Sequence, residues 1–418
     1  MTDGGLTGDP VSVCRSCGAG LPEPFLNLGR TPVANRLLRS ADEQAPCYPL
    51  MVAFCDTCAL VQLAWALPAE AIFDADYPYF SSFSDALVAH AHAHVDFLLD
   101  ERRLSAGSFV VEVASNDGYL LDRVVQKGVR ALGVEPTDGP AAAARERGVP
   151  TRQAFFGRDL AAELAHKHGR ADVVVANNVM AHVPGLNDFV AGLATLVAPD
   201  GVITVENPSV VELVEHREFD TVYHEHYCYF SCTSVQVLMR RHGLTLFRVE
   251  EFADLHGGTL RWWMAPTANS PAIEQSVRDQ LERERSLGVD RPDYYASFGA
   301  DVAGVQNRLR SLLASLKAQG RSVAAYGAAA KGATLLNSTG IDSSTLDFVV
   351  DRNTAKQGRW IPGACLPILP VEALLERRPD DVLLLAWNFA TEIVRQQDAY
   401  RSAGGRFVVP VPEPRVLS

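Results

Sequence analysis

The chain has 418 residues, 38 basic and 50 acidic side chains for a formal net charge of −12, and 47% hydrophobic residues. At roughly 100–200 residues per domain, this length implies two or three domains, with enough apolar content for a core in each. A net acidic chain without a Lys/Arg-rich run excludes non-specific binding to nucleic acid or anionic membranes, and no apolar run nears the roughly 20 residues of a membrane span. The first ten residues lack the basic and apolar regions of a secretory signal. The expectation is a soluble, cytoplasmic protein that meets neither nucleic acid nor membrane.

Four of the eight cysteines form two C-x-x-C pairs, Cys14 with Cys17 and Cys55 with Cys58. Each pair turns two thiolates toward one point, and four thiolates suit tetrahedral Zn²⁺. The second pair lies between apolar runs at 51–54 and 59–63, which reads as strand, turn, strand. Disulfides or unligated core thiols are the alternatives, and a reducing compartment disfavours the first. With every metal position filled by protein, the zinc is expected to be structural. Next come Tyr77-Pro78-Tyr79 and a helix expected over 85–99, whose His90, His92 and His94 read as a solvated face.

From Ser108 onward, apolar runs at 109–113, 131–135, 172–176 and 201–206 alternate with helical patterns such as 119–127 and 141–147. That alternation marks a parallel α/β sheet, in which ligands sit at the carboxyl ends of the strands. The first strand leads through Glu112-Val113-Ala114-Ser115-Asn116-Asp117-Gly118 into a helix, a turn that lets backbone N–H groups approach a ligand. The second ends at Glu135, where a carboxylate suits two ribose hydroxyls. Phe156 is a candidate flank for an adenine, although phenylalanine pairs are often core. Asn177 and His182 follow the third strand.

The fourth strand is followed by a loop that concentrates Tyr223, His224, Glu225, His226, Tyr227 and Tyr229. Such groups are costly to bury unless they hydrogen-bond one another. The other readings are an aromatic surface loop and metal binding through His224 and His226. Residues 276–319 read as one long polar helical stretch. Beyond it, 321–334 reads as strand, small-residue turn and helix, carrying Tyr326, Gly327 and Lys331. A later strand over 346–350 ends in Asp351. This keeps an NAD site in view, but Gly327-Ala-Ala-Ala-Lys331-Gly332 is not G-x-G-x-x-G, and a lysine at the turn better suits a phosphate.

The run Glu112-x-x-x-Asn116-Asp117-Gly118, the loop bearing Tyr223, Glu225 and His226, the turn Tyr326-Gly327-x-x-x-Lys331, the pair Trp387-Asn388 and the four cysteines together resemble a known family. It is that of the three-domain S-adenosylmethionine (SAM)-dependent C-methyltransferases of nucleotide-linked 4-keto deoxysugars. Ala114 and Asn116 stand where the usual class I methyltransferase motif has glycine. The resemblance spans nearly the whole chain. It implies a zinc-binding domain over 1–70, a class I Rossmann-like SAM methyltransferase domain over 71–250, and a second Rossmann-like α/β domain over 251–418 that holds the nucleotide diphosphate.

For SAM it implies Glu112, Ala114, Asn116, Asp117, Gly118, Glu135, Phe156 and Asn177. At the sugar it implies His226 as base, oriented by Glu225, with His182, Tyr223 and Tyr77 around the ketone. Tyr79, Tyr326, Lys331 and Asn388 would contact the nucleotide sugar, and His256-Gly257-Gly258-Thr259 would line the interdomain cleft. The implied reaction adds a methyl to C-3 of a dTDP-linked 4-keto-6-deoxysugar, in antibiotic deoxysugar assembly, by a monomeric enzyme. His226 removes the proton beside the ketone, and the enolate takes the methyl in line. A SAM-dependent O- or N-methyltransferase on a sugar or other small molecule is the competing reading, and a non-catalytic binder of SAM or nucleotide is a third.

Overall fold

A computed structural model of the chain describes residues 8–73, 80–253, 255 and 257–417. Tyr77, Tyr79 and His256 therefore lie outside the described residues. Near the N-terminus, strands Leu26–Pro32, Cys47–Phe54 and Val61–Leu63 pair antiparallel, with the tight turn Cys55–Cys58 between the last two. Their fourth, edge strand comes from far along the chain: Cys228–Tyr229, which pairs with Val61 and Gln62. The segment expected to carry the catalytic groups is thus stitched into the cysteine-bearing sheet.

The central sheet runs in the order Thr151–Arg152, Arg130–Val134, Phe109–Val113, Ala171–Asn177, Val197–Pro208, Thr259–Pro266, Leu244–Phe252. Thr259–Pro266 is antiparallel to both neighbours, and every other adjacent pairing is parallel. Strands such as Phe109–Val113 are buried at every position, as continuous apolar runs covered on both faces must be. The strand order reverses between Phe109–Val113 and Ala171–Asn177, which opens a crevice at their carboxyl ends.

A second α/β sheet follows, in the order Trp360–Ile361, Leu366–Leu369, Val349–Val350, Val323–Tyr326, Asp381–Leu384, Arg406–Val409, Arg415–Leu417. Its two edge strands are antiparallel to their neighbours, and the inner strands are parallel. The single helix expected over 276–319 is instead two, Gln275–Leu287 and Phe298–Ala318. Gly288 closes the first in the left-handed conformation (φ 84°) and Pro292 occupies the connection, so both punctuation residues act as their backbone chemistry dictates.

The three units share cores. Leu26, Leu50 and Val52 of the N-terminal sheet are buried with Phe298, Val302 and Leu309 of the second long helix, and the Tyr295 ring lies 4.7 Å from Phe54. Trp65 and Leu67 pack into the core of the central sheet with Tyr227 and Phe230. Among the described residues, no helix is long and apolar enough to cross a membrane.

The histidines of helix Asp85–Glu101 are not a solvated face. His94 is 2% exposed and hydrogen-bonds Thr204 Oγ1 at 3.1 Å; His90 Nε2 lies 3.1 Å from both carboxylate oxygens of Glu206. Arg261 joins them, donating from Nε to Glu206 Oε1 at 2.6 Å and from a terminal nitrogen to Glu250 at 2.9 Å. His90 and His92 are both half-buried, and His92 reaches Asp122 at 3.1 Å. Spacing of i, i+4 places two rings on one face but does not say whether water or a buried carboxylate meets them.

Candidate active site

One cleft of about 520 Å³ opens at the carboxyl ends of the central strands and is lined by residues of all three units, among them Asn35, Glu135, Asn177, His226, Lys331 and Asn388. On one wall the turn after Phe109–Val113 keeps a glycine-rich shape without the glycines. Ala114 (φ 57°), Asn116 (φ 49°) and Gly118 (φ 78°) all adopt the left-handed conformation. For alanine this conformation costs roughly 1–2 kcal/mol, and asparagine tolerates it better. A side chain at Gly118 would lie 3.1–3.3 Å from Val149 and Ala144, so that position admits only glycine without rearrangement.

Glu135 is pinned beneath the turn: Oε2 accepts the Asn116 N–H at 2.9 Å, and Oε1 accepts the Thr137 N–H at 3.0 Å and the Thr137 hydroxyl. Burial raises its carboxyl above the usual range, against those hydrogen bonds. Ala114, Asn116, Glu135, Phe156 and Asn177 line the cleft, together with the exposed Phe155. Glu112, Asp117 and Gly118 do not. Glu112 is 1% exposed within its strand, and burial, with Asp117 and Glu135 nearby, pushes its carboxyl well up. Asp117 is equally buried and meets Arg147 at 3.3 Å. These three shape the turn from below.

The residues present fit SAM. The turn offers backbone and a pinned ribose-side carboxylate, and Asn177 Oδ1 and both amide atoms of Asn207, which also lines the cleft, have no partner among the described residues. Asn207 was not singled out from the sequence. Its place at the end of the strand beside Asn177 is the signal that points to it.

In the same cleft, His182, Tyr223 and His226 converge. The His226 ring centroid is 4.0 Å from Tyr223 and 4.6 Å from His182. His226 Nδ1 lies 2.8 Å from the Thr221 carbonyl. A carbonyl only accepts, so Nδ1 carries the proton and the neutral ring has its basic lone pair on Nε2. That partner replaces the one expected. Glu225, 1% exposed, turns instead to Asn35 of the N-terminal unit, accepting from its Nδ2 at 2.9 Å. Consecutive side chains in the turn closed by His226 N–H to Tyr223 C=O diverge, so neighbours in sequence are oriented by different partners.

His224 diverges too: Nε2 hydrogen-bonds the Pro49 carbonyl at 3.2 Å in the N-terminal sheet, and burial pulls its pKa down to about 4. His224 and His226 therefore make no metal site. Burial likewise holds His182 at about 4, leaving it neutral.

The C-terminal unit brings Lys331 and Asn388 to the cleft. Lys331 Nζ lies 4.3 Å from the Trp387 ring centroid, and its charge faces Asp220 and Glu218. Burial raises those carboxyls to about 6 and about 8, with Lys331 opposing the rise. Gly257 (φ 92°) leaves room for the Glu218 carboxylate, which would lie 2.5 Å from an added Cβ. Tyr326, expected at the substrate, packs instead with Phe348 and Val350 on the far side of its sheet. Side chains alternate along a strand, and Ala325 takes the cleft side. Asp351 Oδ2 accepts the Ala328 N–H at 2.7 Å, bracing the small-residue turn. A second cavity of about 460 Å³ lies alongside, sharing Glu218 and bordered by Trp387 and Arg415.

Away from the cleft, the sulfur atoms of Cys14, Cys17, Cys55 and Cys58 all lie within 4.8 Å of one another. Cys14 to Cys58 and Cys17 to Cys55 are each 3.5 Å apart, far beyond a disulfide bond and close to the spacing of thiolates around one zinc. Gln62 Nε2 donates to Cys14 Sγ at 3.1 Å, the outer-shell N–H that a metal thiolate takes. Four cysteines close a tetrahedral site and leave no position for substrate. The fit is to structural zinc.

Comparison with known proteins gives three family matches: residues 14–73 to "Putative zinc binding domain", 89–249 to "Methyltransferase domain", and 254–412 to "C-methyltransferase C-terminal domain". Over 411 residues the chain is 36% identical to C-methyltransferase NovU of Streptomyces niveus, covering 98% of this chain and 97% of that one. A shorter similarity, 29% over 107 residues, is to a ubiquinone biosynthesis O-methyltransferase of Pseudomonas paraeruginosa, covering 25% of this chain and 46% of that protein. Among solved structures, the magnesium protoporphyrin IX methyltransferase of Synechocystis PCC 6803 with bound SAH matches at 14% identity over 42% of this chain and 82% of that one, with a TM-score of 0.35.

Proposed function

This chain belongs to the family of SAM-dependent C-methyltransferases with an N-terminal zinc-binding domain, and from that premise we propose that it methylates C-3, beside the ketone, of a dTDP-linked 4-keto-6-deoxysugar in the cytoplasm. The observation that carries the reading is the His226 imidazole on the wall of the shared cleft, its Nδ1 proton committed to the Thr221 carbonyl. A carbon acid beside a ketone needs a positioned base near neutral pH, and the Nε2 lone pair of that tautomer supplies one.

Bound SAM supplies a methyl on a sulfonium, an electrophile that becomes neutral as the methyl departs. Asn116 backbone, Glu135, Asn177 and Asn207 would hold it against the first wall. His226 takes the C-3 proton and the electron pair moves into the enolate, which would accept the methyl that bound SAM supplies. Tyr223 and neutral His182, whose rings pack against His226, would steady the oxyanion; one such donor is worth roughly 10²–10³ in rate. Lys331 and Asn388 favour the nucleotide end on the C-terminal side, and we assign the three units to 1–70, 71–250 and 251–418, with strand Thr259–Pro266 of the third completing the central sheet.

The test is exchange into solvent deuterium, without SAM, using dTDP-4-keto-6-deoxyglucose as probe. We expect exchange at C-3 with the unchanged enzyme. His226→Asn should lose both exchange and methyl transfer, about 10³-fold or more, while still binding S-adenosylhomocysteine. Exchange retained in that variant would remove His226 as base, and methyl transfer without any exchange by the unchanged enzyme would favour an O- or N-methyl acceptor.

A further inference from the structure

The carbonyl that orients His226 belongs to Thr221, in the short turn Phe219–Thr221 of the central unit. Within that turn the Thr221 N–H and hydroxyl both donate to the Glu218 carbonyl, at 3.0 and 2.6 Å. The residue between them, Asp220, is 0% exposed, and its Oδ2 accepts from Trp387 Nε1 of the C-terminal unit at 2.6 Å. Trp387 is held on a second side by Lys331 over its ring. The ring does not line the main cleft, although its neighbours Ala386 and Asn388 do.

We propose that Trp387 and Asp220 form a positioning latch through which the C-terminal domain sets the Thr221 carbonyl, and with it the orientation and tautomer of His226. The hydrogen bond is charge-assisted and part-buried, and its loss takes from the Asp220 carboxylate the donor that ties it to the C-terminal unit. Asp220 is joined to Thr221 through the peptide that carries the Thr221 N–H, so movement of Asp220 shifts Thr221 and with it the carbonyl on the far side of that residue. The N-terminal and central units hold the loop from one side; the latch is a directed hold from the C-terminal domain, whose helix Ala330–Thr339 packs against the same turn. This inference rests on His226 being the base.

The experiment compares Trp387→Phe, Asp220→Ala and Asp220→Asn in the full-length zinc-loaded protein. It reads deuterium exchange into dTDP-4-keto-6-deoxyglucose, binding of S-adenosylhomocysteine and thermal midpoint. We expect Trp387→Phe and Asp220→Ala each to lower kcat for exchange about ten- to hundredfold, the range for a base displaced by a fraction of an ångström to one ångström. KM for the probe and affinity for S-adenosylhomocysteine should stay within about twofold. Asp220→Asn keeps an acceptor for the indole N–H and should recover most of the rate lost in Asp220→Ala.

Unchanged kcat in Trp387→Phe overturns the latch. So does a rise in KM alone, which would make the ring a wall of the substrate site. Should Trp387→Phe fail to fold, the Asp220 pair decides: equal rates for Ala and Asn also overturn it. Failure of the latch is distinct from failure of the base assignment, because His226→Asn reports on the latter by itself.

Discussion

At the residue scale, the SAM-side turn shows how far a motif can drift while its backbone stays fixed. Ala114 and Asn116 carry the positive φ that glycine carries elsewhere in this fold, and the surrounding packing holds them there. Gly118 is different, because its missing side chain is also a packing requirement. Ala114→Gly should therefore leave S-adenosylhomocysteine binding intact and change stability by less than about 1 kcal/mol. Gly118→Ala should lose roughly 1–2 kcal/mol from conformational strain alone. Urea titration of both variants checks the contrast; equal losses would mean the turn is not strained at Ala114.

The residue types of the site were legible because carbon-acid chemistry and ribose recognition each demand few kinds of side chain. The partner of His226 was not. It is a main-chain carbonyl, and every residue has one.

At the element scale, helix Asp85–Glu101 is seated on strand Val197–Pro208 by a buried charge network rather than by apolar contact alone. Burial pushes the Glu206 carboxyl up, but the His90 hydrogen bonds and the Arg261 charge outweigh that and hold it at about 2. Glu206→Ala leaves Arg261 and His90 buried with one partner fewer, and should cost about 3–5 kcal/mol in urea unfolding. A loss under 1 kcal/mol would show the network to be dispensable. The seat matters to the site because Asn207, the next residue, faces the cleft, and because Phe80, Ser81 and Phe83, just before the helix, line it.

Strands and most helices follow from apolar periodicity, as Phe109–Val113 does residue for residue. The break at Gly288 and Pro292 was also written in the sequence, but helical composition on both sides masked it.

At the scale of the whole molecule, buried ionisable groups set opposing pH dependences. Burial lowers His94 to about 3 and His182 and His224 to about 4. The unfolded chain therefore binds more protons below about pH 6.5, and the stability these groups allow is present above that value and lost as pH falls toward 4, by up to about 1.4 kcal/mol per unit for each ring. Glu206 adds a loss in the same direction between about 4.5 and 2. Glu218 and Asp220 run the other way. Their raised values of about 8 and about 6 give stability that is present below about pH 4 and lost as pH rises through those values. Stability should pass through a maximum between the acid loss and the alkaline loss, and the raised Glu112 and Glu135 carboxyls add to the alkaline side. Urea midpoints at several pH values check it, and a monotonic rise from pH 5 to 9 would remove Glu218 and Asp220 from the balance.

What the sequence determined by itself was the side-chain types available and the local elements that carry them: four paired thiols suited to zinc, a turn and a carboxylate at the strand ends, and a loop rich in imidazole and phenol groups. Those follow from spacing along the chain and from side-chain type. The tertiary structure alone decided which groups face which. It gave Glu225 to Asn35, turned Tyr326 and Glu112 away from the cleft, buried His94 and paired His90 and His92 with carboxylates, threaded Cys228–Tyr229 into the cysteine-bearing sheet, and set Trp387 against Asp220. Each of these joins residues far apart in sequence or depends on which face of an element is buried. Local periodicity constrains a side chain's face only relative to its own helix or strand, and the partner across the gap is fixed by how the three cores pack.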